Sequence, residues 1–392
     1  MLRVHDPFRR GQLATSALFS SLGFQYATWA SRLPAIKTHL GLSAAEVGLL
    51  LMATGIGAVV SFPLVTMLMR RLGSRRLALA SAVCLALLLL VMSVLPDYPV
   101  ALLVMGIDGV LVACLNVAMN AQGTALEVAY GRNAMSKLHA TFSGGSLGAA
   151  LVASGMNTLT PTLAVHFGVA AALLLLLAGY AGTGLLAEDR PAAAAADDEE
   201  EKKEKSRNRW TLPSRVTLWL GAAMVFGTVT EGAMNDWSAI YMKDVAKASA
   251  ELAPMGIAVV SVMMVLARVF ADGWRSRWGD GRIVRAGSAL AGAGLALALL
   301  SGGVVPALIG FACVGLGIAA VTPCVYVAAA KQGSDALTVV ATMGTAGLLA
   351  GPPVIGFIAN ASGLVWGLGA VAASAMFVSL CGTRIRWTAA SG

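Results

Sequence analysis

Residues 188–215 read EDRPAAAAADDEEEKKEKSRNRWTLPSR, an acidic block followed by a basic one, with no apolar period. So polar a segment buries too little apolar surface to offset the entropy of ordering, which predicts a flexible, solvated tether. In both directions from it the chain changes character. Six apolar runs lie between Gly11 and the tether, and six more between the tether and Leu380. Each is about 20 residues long, enough to cross a hydrocarbon core of about 30 Å as a helix.

Lipid offers no hydrogen bonds to a bare backbone, so membrane spans are either helices or closed barrels. Uninterrupted stretches such as Leu85–Val94, LALLLLVMSV, lack the in-and-out alternation of barrel strands, and helices are expected throughout. The whole chain is 57% hydrophobic and 12% charged, which excludes a soluble globular protein with one core. Its start, MLRVHDPFRRGQ, is polar, and the first apolar run continues past Trp29 without a small-residue cleavage site. That run is therefore expected to be a permanent span and not a removed leader. Cys84, Cys114, Cys313, Cys324 and Cys381 all lie in apolar runs with no metal-ligand spacing, and are expected to be packing residues.

The apolar pattern predicts spans at 12–38, 45–69, 77–95, 99–125, 134–158, 162–186, 214–242, 252–274, 284–304, 306–330, 337–360 and 364–383. A net charge of +8 is compatible with a nucleic-acid partner, but its distribution argues for a membrane instead. Of the 28 Lys and Arg, 24 fall at the termini, in the tether and in every second connection, the group from Arg268 to Arg285 among them; Arg32, Lys37, Lys243 and Lys247 fall on the other side. Positive residues are retained in the cytoplasm. Both termini and the tether are thus expected to be cytoplasmic, in a multi-pass protein of the cytoplasmic (inner) membrane. The domains follow: a six-helix bundle over 1–187, a linker over 188–213, and a second bundle over 214–392.

The two halves also repeat. Arg71-Leu72-Gly73-Ser74-Arg75-Arg76 follows the second span, and Arg277-Trp278-Gly279-Asp280-Gly281-Arg282 follows the eighth. Trp29-Ala30-Ser31 aligns at nearly the same offset with Trp237-Ser238-Ala239. A duplicated six-helix unit is a pattern of membrane carriers.

On these residues the chain resembles the major facilitator superfamily over its whole length. WASRLPAIK at 29–37, EGAMNDW at 231–237, GLGIAAVTP at 315–323 and GLLAGPPVIGF at 347–357 are similar to its YbjJ-like inner-membrane branch, related in pattern to fucose-permease-type carriers. The resemblance implies an all-α fold of twelve transmembrane helices in two pseudo-symmetric bundles. The family loop normally places an Asp beside its Arg-x-Gly, where this chain has Arg70 and Ser276. Asp272 is expected to replace that acid in the second half, and nothing replaces it in the first. The family's proline-containing antiporter motif on span five is missing, and Gly351-Pro352-Pro353 on span eleven is the nearest equivalent.

Charges inside spans are costly and mark function or a partner. Gln25, Trp29 and Arg32 are spaced four and three, on one face of span one, expected to be a cavity wall with Tyr26 beside it. A Trp in the interfacial belt and an Arg reaching for water also fit that spacing. In span seven Glu231 lies near mid-depth with Thr228 and Asn235 on its face, which suits a group that gains and loses a proton; a permanent partner for a cation is the alternative. Asn116 and Asn120 of span four share a face and offer donors and acceptors to a hydroxyl-bearing solute, or glue between helices. Asp108 and His139 are further candidates for proton coupling. Arg32 and Asp236 are expected to pair in an outer gate, with Glu231 as the alternative acid, and Arg71, Arg75, Asp272 and Arg277 to belong to the cytoplasmic one.

No nucleophile and base, metal-ligand set or nucleotide loop is legible, so neither an enzyme nor an ATP-driven pump is indicated, and no cofactor or metal is expected. The expectation is a secondary active transporter, a monomer working in membrane lipid. It would bind a small polar solute, such as a sugar or a sugar-derived organic anion, and couple it to protons by alternating access. The rival expectations are proton-antiport efflux of amphipathic compounds and a transporter-like sensor or scaffold.

Overall fold

The computed structural model describes residues 6–132, 134–187, 213–385 and 387, so residues 188–212 of the tether lie outside them. In chain order the helices are α1 (Pro7–Ser31), α2 (Leu33–Leu40), α3 (Ala44–Val60), α4 (Phe62–Met92), α5 (Tyr98–Tyr130), α6 (Met135–Leu159), α7 (Leu163–Gly182), α8 (Arg215–Asp244), α9 (Met255–Trp278), α10 (Asp280–Ser301), α11 (Val304–Ile318), α12 (Val321–Ala330), α13 (Ser334–Ser362) and α14 (Leu364–Arg384). No strand occurs among the described residues.

By length and composition alone, seven of these helices, and α11 with α12 taken as one, are able to cross a membrane, which makes eight, or nine if α2 and α3, bent by 119°, are one span. The expected order of spans emerges when the helices are read at their breaks. Gly73, at φ 73° and ψ 164°, interrupts α4 where span two gives way to span three, a conformation that strains any residue with a Cβ. Span two starts in α3 and enters α4 across Ser61, and span ten runs through α11 and α12 with Ala319 and Ala320 between them.

The helix ends are written in the sequence. Asp97 caps α5 by accepting from Val100 N at 2.9 Å, and Ser214 caps α8 by accepting from Thr217 N at 3.1 Å. Ser43 and Glu46 form a reciprocal box at the start of α3: Ser43 N donates to Glu46 Oε2 at 2.8 Å, and Glu46 N donates to Ser43 Oγ at 3.2 Å. Just before α1, Asp6 Oδ2 lies 2.9 Å from Arg132 Nη1, and this bond holds the Asp6 carboxyl below the usual aspartate range.

The chain divides into two compact units, Met1–Thr28 with Ala53–Ala149 and Thr162–Leu212, and Trp29–Met52 with Ala150–Pro161 and Pro213–Gly392. The second unit therefore takes in stretches from spans one, two and five that the sequence assigns to the first bundle. In the first unit Phe19, Leu22, Leu85, Leu115 and Leu126 form part of a continuous core. Lipid supplies no apolar driving force between helices, so close backbone approach matters more. A Cβ on Gly57 would lie 2.0 Å from Gly106 O, and one on Gly145 would lie 2.1 Å from Ser20 O, so α3 is pressed on α5 and α6 on α1. In the second unit Trp237, Tyr241 and Phe311 are fully buried, Tyr241 meeting Phe311 edge-on at 5.9 Å.

Candidate functional site

In the first unit the structure brings Gln25 and Asp108 together. Gln25 Nε2 donates to Asp108 Oδ1 at 2.7 Å, and both residues are buried. Further along the same stripe, in the second unit, Trp29 and Arg32 are buried as well, at 1% and 4% exposure. Arg32 thus does not reach for water. Tyr26 is half-buried. On α5, Asn120 Nδ2 donates to both Asn116 O at 2.8 Å and Asn116 Oδ1 at 2.7 Å, while Asn116 itself stays exposed. His139 is exposed, its ring edge-on to Phe19 at 5.0 Å.

In the second unit Glu231 is bonded to a residue that the sequence pattern assigns to a cytoplasmic connection. Arg268 Nη2 lies 3.1 Å from Glu231 Oε1, with both side chains a little over a quarter exposed. Asn235 Nδ2 donates to Glu231 O at 3.3 Å, so the two polar residues on that face of α8 are joined. Asp236 is buried. Arg32 Nη1 donates to Asn157 Oδ1.

Asn157 belongs to a set of contacts gathered around the C-terminal ends of α6 and α8. Its Nδ2 donates to Ala250 O at 2.7 Å, Ser154 Oγ donates to Glu251 O at 2.7 Å, and Lys37 Nζ meets Asp244 Oδ2 at 2.5 Å. Lys247, at φ 57°, donates from Nζ to Asp244 O at 2.6 Å, which fixes the turn that follows α8. In the same unit, Gly48 of α3 packs so tightly on α13 that a Cβ would sit 2.7 Å from Pro352 O.

Among the residues expected in the cytoplasmic gate, Arg75 Nη2 donates to Gly182 O at 2.9 Å; Arg10, which is not one of them, donates to Thr183 O, and together they cap the end of α7. Gln122, which sequence reasoning passed over, completes the cap: its Nε2 donates to Ser74 Oγ at 2.7 Å and to Leu186 O at 3.1 Å, and its Oε1 accepts from Leu186 N at 2.9 Å. Arg71 is exposed. In the second half the side chain of Asp272 lies outside the described residues, and the acid seen on the basic loop is Asp280, held by Arg275 Nε at 2.8 Å and Nη2 at 3.3 Å. Asp280 stands inside the RWGDGR repeat itself, a signal the sequence contained. Arg277 is exposed, with Cζ 5.9 Å from the centre of the Trp278 ring.

A halved set of membrane helices, with its few charges bonded across spans, defines a multi-pass membrane transporter. The profile of the Major Facilitator Superfamily matches residues 13–335. A Yersinia pestis protein described as an MFS-type transporter is 34% identical over 373 residues, covering 92% of each chain. The chain belongs to the Major Facilitator Superfamily, and is a transporter and not an enzyme. Among solved structures, a point mutant of the nucleoside transporter NupG superposes with TM-score 0.73 over 97% of this chain and 99% of that one, at 16% identity. A D-xylose–proton symporter superposes with TM-score 0.71 over 98% of both, at 14% identity. Identities this low speak for the fold alone.

Proposed function

We propose that the protein moves a small polar solute, a sugar or a sugar-derived organic anion, across the cytoplasmic membrane by proton-coupled alternating access, with both termini in the cytoplasm. The observation that carries this reading is the ion pair between Glu231 and Arg268. Its acid lies near the middle of α8, and its base comes from α9. A proton arriving on Glu231 cancels its charge and releases the guanidinium from that bond, so that it turns to an anionic or hydroxylated solute. Loss of the proton restores the pair and displaces the solute from Arg268. One acid thereby links a proton to a cargo, the link a gradient-driven carrier needs.

Asn116, Asn120 and Asn235 are assigned to the recognition of solute hydroxyls, with Tyr26 and Trp29 as ring contacts. Asp108 and His139 are further sites for a proton. Arg32 and Asp236 belong to the outer gate, together with Lys37 and Asp244.

Glu231→Gln tests the reading in proteoliposomes. The variant should lose uptake against a gradient while retaining exchange of labelled for unlabelled solute, because the neutral amide mimics the protonated acid. Concentrative uptake with unchanged pH dependence in Glu231→Gln would remove the coupling role from this residue.

A further inference from the structure

The hydrogen bonds of Asp108 and Gln25 do not balance. The amide gives one hydrogen to Asp108 Oδ1 at 2.7 Å. Two oxygens are left over, Asp108 Oδ2 and Gln25 Oε1, both buried and with no hydrogen-bond partner among the described residues. Between an ionised aspartate and a neutral amide both are acceptors, and two acceptors do not satisfy each other. A carboxylic acid removes the discrepancy. With a hydrogen on Oδ2 the carboxyl gains a donor to match the amide's unused acceptor Oε1, while Gln25 Nε2 donates to Oδ1.

The surroundings favour the acid. Asp108 and Gln25 are 0% and 1% exposed. Asp108 stands next to Gly109, where α5 meets α3 so closely that a Cβ would lie 1.8 Å from Thr54 O. A crossing this tight leaves little room for solvent to balance a charge. Apart from the phenol of Tyr26, next to Gln25 on α1, the ionisable groups on the neighbouring elements lie far along their helices. Arg32, just past the end of α1, is seven residues beyond Gln25, about 10 Å along the axis, and Arg9 and Arg10 are at the opposite end of α1. On α3, Glu46 is eight residues before Thr54, about 12 Å away, and bonded to Ser43. On α4 the arginines 70, 71, 75 and 76 gather around the Gly73 break, and Cys84 is exposed. On α5 itself Cys114 is six residues on, and Asp97 and Glu127 are at the ends. A carboxylate here would have one amide hydrogen and, among the described residues, no cation bonded to it to balance its charge, the arrangement buried ions avoid.

We propose that Asp108 carries a proton in this conformation and that Gln25 is the positioning residue that holds it there, as a neutral acid–amide lock and not a contact for the solute. The O–H bond breaks, and the proton passes to water, only when α1 and α5 part enough to wet Oδ2. This deepens the proton-coupled reading above, and rests on it for its purpose, but is measured without transport.

Infrared difference spectra of the purified full chain in lipid, with Asp108→Asn as the reference, decide it. At neutral pH the unaltered chain should show the carbonyl stretch of a protonated, hydrogen-bonded carboxylic acid, and Asp108→Asn should lack it. That variant should keep its thermal midpoint, because an amide at 108 supplies the same donor and acceptor to Gln25. In Gln25→Leu the band should persist but move to higher frequency, its acceptor gone; Gln25→Met serves the same end if the leucine variant fails to fold. The proposal is overturned by the absence of a band in the unaltered chain that Asp108→Asn removes, or by a frequency indifferent to residue 25. Uptake as a function of pH judges the coupling reading separately: the band with pH-independent uptake would uphold the lock and sink the coupling.

Discussion

At Gly109 a single methyl group would meet Thr54 O at 1.8 Å, and the obstacle is backbone that cannot swing aside. Gly109→Ala should therefore destabilise the protein by about 2–3 kcal/mol through forced separation of α3 and α5. At Gly144 of α6 nothing lies within 4 Å, so Gly144→Ala should be neutral or stabilising by up to about 1 kcal/mol from the lower entropy of the unfolded chain. Thermal unfolding in one detergent compares the two directly, and equal midpoints would show that the crossing is looser than described. Which residues matter was partly legible at this scale. Glu231 and Asp108 announce themselves as lone acids in apolar runs. Their partners do not, because Gln25 is 83 residues from Asp108 and Arg268 is 37 from Glu231, and periodicity along one helix carries no information about its neighbour. Arg268 is nonetheless as isolated within MMVLARVF as Glu231 is in its own span, and treating it as an intramembrane charge instead of a loop charge would have suggested the pair.

Helices were more legible than their interruptions. The apolar runs place the spans because each must be long enough to cross the bilayer, but a break needs only one residue, and Gly73 is set apart from the other glycines of α3 and α4 by the φ it adopts. The short α2 illustrates what such a break does. Gly41, at φ 65°, ends the helix, and Lys37 in its last turn meets Asp244 at the end of α8. The two side chains are 26% and 36% exposed, so water screens the bond and it contributes about 1 kcal/mol or less. Either Lys37→Asp or Asp244→Lys should replace attraction with repulsion and loosen this contact. A cysteine placed at Ser31, which is 2% exposed, should then be alkylated from outside up to about fivefold faster, the factor that 1 kcal/mol allows. Exchanging both residues should return the rate toward that of the unaltered pair. Additive increases in the double exchange would show that the two charges act independently.

For the whole molecule, the asymmetry of Lys and Arg carries the proposed orientation, and it was readable because retention of positive loops depends on composition and not on three-dimensional contacts. A cysteine introduced at Ser206 in the tether, in a chain cleared of its five native cysteines, should resist an impermeant thiol reagent in intact cells and react after lysis. Labelling before lysis would invert the topology. The division into compact units was not legible, because the grouping of 29–52 and 150–161 with the second half depends on which ends happen to be packed together. That packing has an evolutionary consequence. Asn157 and Ser154 bond to the main-chain oxygens of Ala250 and Glu251, and a carbonyl is the same whatever side chain follows it. Residues 250 and 251 are thus free to drift between lineages without breaking the contact, while Asn157 and Ser154 bear all of the selection that maintains it.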